Sequence, residues 1–173
     1  DSLSVLTGCK VERMLAGAWC ESNPADLYAA RDEWNRLRDE ARDTYAELKN
    51  KAAQLREVLG GDGFDELHRD RDLVVRNYDF LQETRDDAAK IMGRAGDQAT
   101  HQRRYMSSRV EQAEPQIEAI ENAPLVTDSE KQSAIDAVIE ETNEELKALS
   151  AAEAAALTSQ VAAHIAYMQG LPW

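Results

Sequence analysis

LYAARDEWNRLRDEARDTYAELKNKAAQLREVLGGDGF, from Leu27 to Phe64, is the stretch that decides the fold. Leu27, Trp34, Ala41, Leu48 and Leu55 recur every seven residues, with Ala30, Leu37 and Val58 three after members of that row and Tyr45, Ala52 and Leu59 four after. An apolar stripe at that spacing belongs to an amphipathic helix, here of roughly 35 residues and about 50 Å at 1.5 Å per residue. Gly60-Gly61-Asp62-Gly63 ends it, because glycine supplies the left-handed conformation that a helix C-terminus and a tight reversal prefer. Gly60, Gly61 and Gly63 are therefore the turn, and Asp62 can cap a second helix that opens at Phe64.

Working outward, Ser22-Asn23-Pro24-Ala25-Asp26 reads as the start of the first long helix: a cap, a proline in the first turn and an acid to complement the dipole. Residues 1–22 form a lead segment without clear periodicity, with a helix expected from Lys10 to Trp19. Beyond the turn a second stripe runs Phe64, Leu67, Val74, Tyr78, Leu81, Ala88, Met92, Ala95 and Ala99, then Met106, Val110, Ala113, Ile117 and Ile120. Arg71 and Arg85 interrupt it, consistent with partial exposure or with aliphatic stems lying along the stripe. Gly93, Gly96 and Pro115 each weaken a helix interior, so a bend near Gly93 and a break before Pro115 are expected. Thr127-Asp128-Ser129-Glu130 has the capping-box spacing and predicts a third helix, with Ile135, Val138, Thr142, Leu146 and Leu149 on one face. Ser150-Ala151-Ala152-Glu153 repeats that spacing and predicts an interruption. Two long helices joined by a short glycine turn must lie antiparallel to bury their stripes. The expected fold is all-α: a lead segment (1–22), a long antiparallel helical hairpin (23–121) and a helical segment (122–173) packing on it.

The composition agrees. Of 173 residues, 33 are acidic and 20 basic, giving a net charge of -13, and only 8 are glycine and 4 proline, too few turns for a sandwich of short strands. Such a charge disfavours nucleic acid and anionic membrane surfaces as partners, both of which need clustered Lys and Arg. No apolar stretch is long enough to cross a bilayer. No basic stretch followed by an apolar run opens the chain, so no signal peptide is expected.

Enzymatic constellations are scarce. His68, His101 and His164 are each isolated, and the residues three before them are Asp65, Gln98 and Val161, so the Glu-x-x-His of a di-iron bundle does not occur. Only Asp65 and His68 could share a face, and they read as a surface pair. No nucleophile elbow, phosphate loop or zinc spacing is present. No catalytic residue, metal or cofactor is expected. Cys9 and Cys20, with ten residues between them, could close a disulfide in an exported protein and would stay as thiols in a reducing compartment.

The run Asn23-Pro24-Ala25-Asp26-Leu27 into a long helix carrying Trp34, then a glycine-rich turn and a second long helix, resembles the WXG100-like helical hairpins of actinobacterial type VII (ESX) secretion substrates. It is most similar to the longer relatives at the N-termini of secreted hydrolases and toxins, over roughly Asn23 to Ala113. The chain departs from the family in lacking Trp-x-Gly at the turn, where Phe64 stands instead. Its only Tyr-x-x-x-Asp is Tyr28 to Asp32, whereas the family carries its export signal after the second helix. The resemblance implies a secreted or cell-surface presentation module that pairs with a partner. The competing expectation is a structural or assembly protein, such as a virion component, scaffold or coiled-coil adaptor, in a virion or the cytoplasm. On either reading the protein binds rather than catalyses, through a protein partner or a homo-oligomer. The packing or interface positions are Leu27, Trp34, Leu48 and Leu55 on the first helix, with Phe64, Val74, Tyr78 and Leu81 on the second.

Overall fold

The computed structural model describes residues 10–173. Helix α1 covers 10–15, α2 Pro24–Val58, α3 Asp65–Glu121 and α4 Asp128–Gly170, with a single 3-10 turn at Asp62–Phe64 between α2 and α3. Among the described residues 88% are helical and none is in a strand: an all-α helical bundle.

Local chemistry sets the boundaries. α2 starts at Pro24 with Asp26 in its first turn, as the sequence predicts. At the reversal Gly61 has φ +102°, a conformation that L side chains rarely adopt, and this is the one turn glycine that requires it. The start of α4 is a reciprocal capping box. The Thr127 backbone N–H donates to Glu130 Oε2 at 2.9 Å, and the Glu130 N–H donates back to Thr127 Oγ1 at 3.2 Å. That backbone donor, and then the Thr127 hydroxyl, hold the Glu130 carboxyl below its ordinary range.

Two expected breaks, before Pro115 and at Ser150–Glu153, are absent. α3 runs unbroken through Gly93, Gly96 and Pro115. A proline inside a helix costs about 3 kcal/mol and a glycine about 1. Against this, α3 buries Ala89, Ile91, Ala95 and Ala99 around the glycines, and Met106, Val110, Ala113 and Ile117 around the exposed Pro115. Burying a large apolar side chain returns about 1.5–3 kcal/mol each, so the packed face outweighs the local penalties. α4 likewise passes through Ser150–Glu153, because those residues are spent on interhelical bonds. Gln102 Nε2 donates to Ser150 Oγ at 2.9 Å, and Gln98 Nε2 donates to the Glu153 carbonyl at 2.9 Å and to its carboxylate. A smaller difference lies at the reversal, where Phe64 belongs to the 3-10 turn and α3 opens one residue later, at Asp65.

The chain divides into two compact units. The first takes the residues up to Pro24 together with Asp97–Thr158. Its core is Met14, Ala18, Met106, Val110, Ala113, Ile117, Ile135, Ile139 and Leu146, with Val11, Leu15, Ile120 and Val138 packed against it. The second half of α3 and the first half of α4 lie antiparallel, since contacts fall from Glu153 to Lys131 on α4 as they rise from Gln98 to Glu121 on α3. The helix expected over Lys10–Trp19 is shorter, ending at residue 15 in a turn, but it is tied in. Lys10 pairs with Glu121, Arg13 with Asp136 at 2.9 Å, and Asn143 Nδ2 donates to the Met14 and Ala16 carbonyls at 2.9 Å each.

The second unit comprises Ala25–Gly96 and Ser159–Trp173. Here α2 and the first half of α3 form the predicted antiparallel hairpin. Tyr28 meets Gly96, Arg31 meets Gly93, Arg38 pairs with Asp86 at 2.8 Å, and Arg56 pairs with Asp72. The end of α4 runs beside α3. The Tyr167 hydroxyl donates to Glu83 at 2.7 Å, Arg76 donates to the Pro172 carbonyl at 3.1 Å, and Trp173 meets Phe80 edge-on at 5.7 Å. The hydrogen bond to Glu83 pushes the Tyr167 phenol up to about 12.

Candidate interaction surface

In the second unit the two stripes of the hairpin are only partly used in packing. Leu27, Leu48, Tyr78 and Leu81 are half-buried, and Ala41 and Ala52 are buried. Leu55, Phe64 and Val74 are exposed, and Trp34, placed by the heptad row at a packing position, is 37% exposed. The side chains flanking that row explain the shortfall. Arg38, Arg85 and Asp86 occupy the space between α2 and α3. The Arg85 guanidinium donates to the Leu37 carbonyl at 2.6 Å, and Asp86 accepts from Arg38 while also pairing with Lys90 at 2.8 Å. Lys90 first, and Arg38 with it, hold the Asp86 carboxyl below its usual range. A partly polar seam holds large aromatic and aliphatic residues further out than a dry one.

The exposure concentrates toward the glycine turn. Leu55 and Val58 at the end of α2, Phe64 in the turn, and Leu67, Leu73 and Val74 in the first turns of α3 are all exposed, Val58 to 78% and Leu67 to 53%. Single exposed apolar side chains are ordinary, whereas several large ones at one end of a hairpin make that end the candidate interaction surface. Sequence periodicity placed Leu55, Phe64 and Val74 on the stripes. It also placed Val58 and Leu67 there, without separating covered from uncovered positions. Leu73 lies off the stripe and carries no signal in the sequence.

Polar atoms beside this cluster lack hydrogen-bond partners. His68 Nε2 lies 2.7 Å from the Leu59 carbonyl and donates to it, while Nδ1 is buried without a hydrogen-bond partner. The same contact takes His68 out of the pairing with Asp65 that the spacing allowed, and uses it to close the end of α2. None of the Arg71 guanidinium nitrogens makes a hydrogen bond, its nearest charge being Asp72 at 3.7 Å, and Asn77 Oδ1 is unsatisfied. Between Tyr45 and Arg76 seven acids stand among six bases, so this end is nearly neutral in a chain of net charge -13.

The remaining chemistry-bearing residues are dispersed. His164 lies 3.8 Å from Asp87, His101 is exposed, and among the described residues no three His, Cys, Asp or Glu side chains come together as a metal site would require. No described helix is long and apolar enough to cross a membrane. The disulfide considered between Cys9 and Cys20 involves Cys9, which lies outside the described residues, while the Cys20 thiol faces the Ser22 carbonyl at 3.8 Å. No protein-family model, no curated protein and no solved structure matches the chain.

Proposed function

We propose that the protein is a non-enzymatic binding module that uses the turn end of the α2–α3 hairpin to hold another protein. The observation that carries this reading is the cluster of Leu55, Val58, Phe64, Leu67, Leu73 and Val74, all exposed at one end of one unit. The near-neutral charge of that end favours a second copy as the occupant. Two chains of net charge -13 repel each other, and they approach most easily through a patch where acids and bases alternate. Leu67→Lys with Val74→Lys places two charges on exposed positions, which leaves the fold intact and spoils the patch. Light scattering across a range of concentrations and salt should show the wild-type mass rising with concentration and the double variant staying at the monomer. Equal masses for the two proteins at every concentration would exclude the patch as the contact.

Two versions of this role fit the hairpin. In one it is an exported presentation module of the type VII kind, supported by the phrase Asn23–Leu27 opening a helix that reverses at glycines. In the other it is an assembly component that repeats the contact. Export that depends on the Gly60–Gly63 turn would favour the first, and large salt-sensitive oligomers the second.

A further inference from the structure

Between α1 and the end of α3, in the first unit, lies a cavity of about 230 Å³. Its apolar lining is Val11 and Met14 from α1 with Pro115 and Ile117 from α3. That volume is below the range of about 300–1,000 Å³ usual for a pocket that takes a whole small molecule, and it suits one large apolar side chain. Pro115 adds a main-chain acceptor. Having no N–H, it cannot donate to the Glu111 carbonyl, which in a helix would receive that bond.

The rim of the cavity is acidic. Glu111, Glu114, Glu118 and Glu121 follow one another at intervals of three and four residues, so they form a row about 15 Å long on one side of α3. Between Val110 and Glu130 the chain has six acids and no base. On α2, by contrast, exposed acids are answered within a turn: Glu33 and Glu40 pair with Arg36, Asp39 with Arg42 and Glu47 with Lys51. Like charges at such spacing repel, and here nothing on α3 offsets them. Among the described residues only Glu121 has a cation, Lys10 of α1, while Glu111, Glu114 and Glu118 are exposed and make no ion pair. Lys10 also lines the cavity, so its contact is an internal example of what the rim accepts: an ammonium on an aliphatic stem, set beside an apolar lining.

We propose that this groove docks a basic amphipathic helix of another protein. One apolar side chain of that helix enters the cavity, and lysines or arginines on its flanks meet Glu111, Glu114 and Glu118. A helix fits because its own side chains recur at the spacing of the row. The carboxylates steer the approach and fix the register, and the apolar anchor holds the complex. A second copy of this chain, with its net charge of -13, would meet the row with like charge, and an anionic membrane is repelled in the same way. The site lies in the first unit and does not rest on the reading of the α2–α3 turn end.

A short fluorescent peptide, with leucines along one helical face and lysines flanking them, provides the test by anisotropy. Wild-type protein should bind it more tightly than a scrambled peptide of the same composition, and more weakly as salt rises. Glu111→Gln, Glu114→Gln and Glu118→Gln together should weaken binding about tenfold, the sum expected of three exposed ion pairs. Glu140→Gln, Glu141→Gln and Glu144→Gln together remove the same charge from exposed positions of α4 and should leave the affinity within about twofold. Equal affinity for the ordered and scrambled peptides, equal losses in the two triple variants, or no binding by the wild type would overturn the site. Amide shifts of the wild type during the titration give the location without any variant. They should centre on 10–14 and 111–121, and shifts centred on the α2–α3 turn end would overturn the groove while leaving that other surface standing.

Discussion

At Gly96 the absence of a side chain is what lets Tyr28 lie against α3. A Cβ built there would sit 2.6 Å from one ring carbon of Tyr28 and within 3.0 Å of two more, closer than real Cβ atoms approach. Two opposing effects follow from Gly96→Ala. Helix propensity favours alanine by about 1 kcal/mol, and overpacking costs typically 1–3 kcal/mol. Gly96→Ala should therefore destabilise by about 1 kcal/mol in the wild-type background and stabilise by a similar amount when Tyr28 is also alanine. Chemical denaturation of the four proteins of this cycle checks the reversal of sign. An effect independent of residue 28 would show that the ring does not rest on Gly96. The sequence marked this glycine as a helix weakness and gave no hint of its packing role, because a pattern of residue types does not say which ring faces which gap. The same limit applied to Trp34. Its register was readable, whereas its exposure depends on Arg38 and Arg85 sharing the seam.

The helices themselves were largely legible, and the reason is visible at each boundary. Capping chemistry is local: Thr127 and Glu130 find each other across one turn whatever surrounds them. Continuity is not local, and here the sequence misled at Pro115 and Ser150, where burial of the opposite face and bonds from a neighbouring helix decide. Pro115 is exposed, so its ring brings no packing gain to set against its missing N–H and its clash with the preceding turn. Pro115→Ala should stabilise the protein by about 2–3 kcal/mol, near the full propensity difference. A smaller gain, or a loss, in thermal or denaturant unfolding would mean that α3 bends there and that the bend is used. Thr127→Ala at the start of α4 should act in the opposite direction, costing about 1 kcal/mol. The pH dependence has a defined sign. Because Glu130 titrates lower folded than unfolded, its contribution is complete above the ordinary glutamate range and fades as pH falls through the depressed value. Thr127→Ala should flatten that acid limb of the stability curve, which a pH series of melting temperatures will show.

Across the whole molecule, the apolar core is distributed unevenly. The first unit buries methionine, isoleucine and leucine, with Met14, Met106, Ile139 and Leu146 nearly inaccessible. The buried apolar residues of the second unit are Ala41, Ala52, Ala89, Ile91 and Ala95, while, Ile91 apart, its larger aliphatic and aromatic side chains are half-buried or exposed. Alanine buries little area, so the second unit gains less from water exclusion per residue and relies on surface-accessible pairs such as Arg38–Asp86 and Arg56–Asp72. Stability of that kind gives a gradient within one covalent helix, because α3 contributes its first half to one unit and its second half to the other. Native-state hydrogen exchange should find the amides of 104–120 opening only at or near the global unfolding free energy, and those of 66–80 opening well below it. Salt should widen the gap, because it screens exposed ion pairs and leaves the buried aliphatic core untouched. Uniform protection along α3 would show that the ion pairs and alanine contacts hold the hairpin as firmly as the aliphatic core. A selective rise in protection over 66–80 with increasing protein concentration would instead place the covering partner on the turn end of the hairpin, since a ligand that binds only the folded state stabilises what it touches.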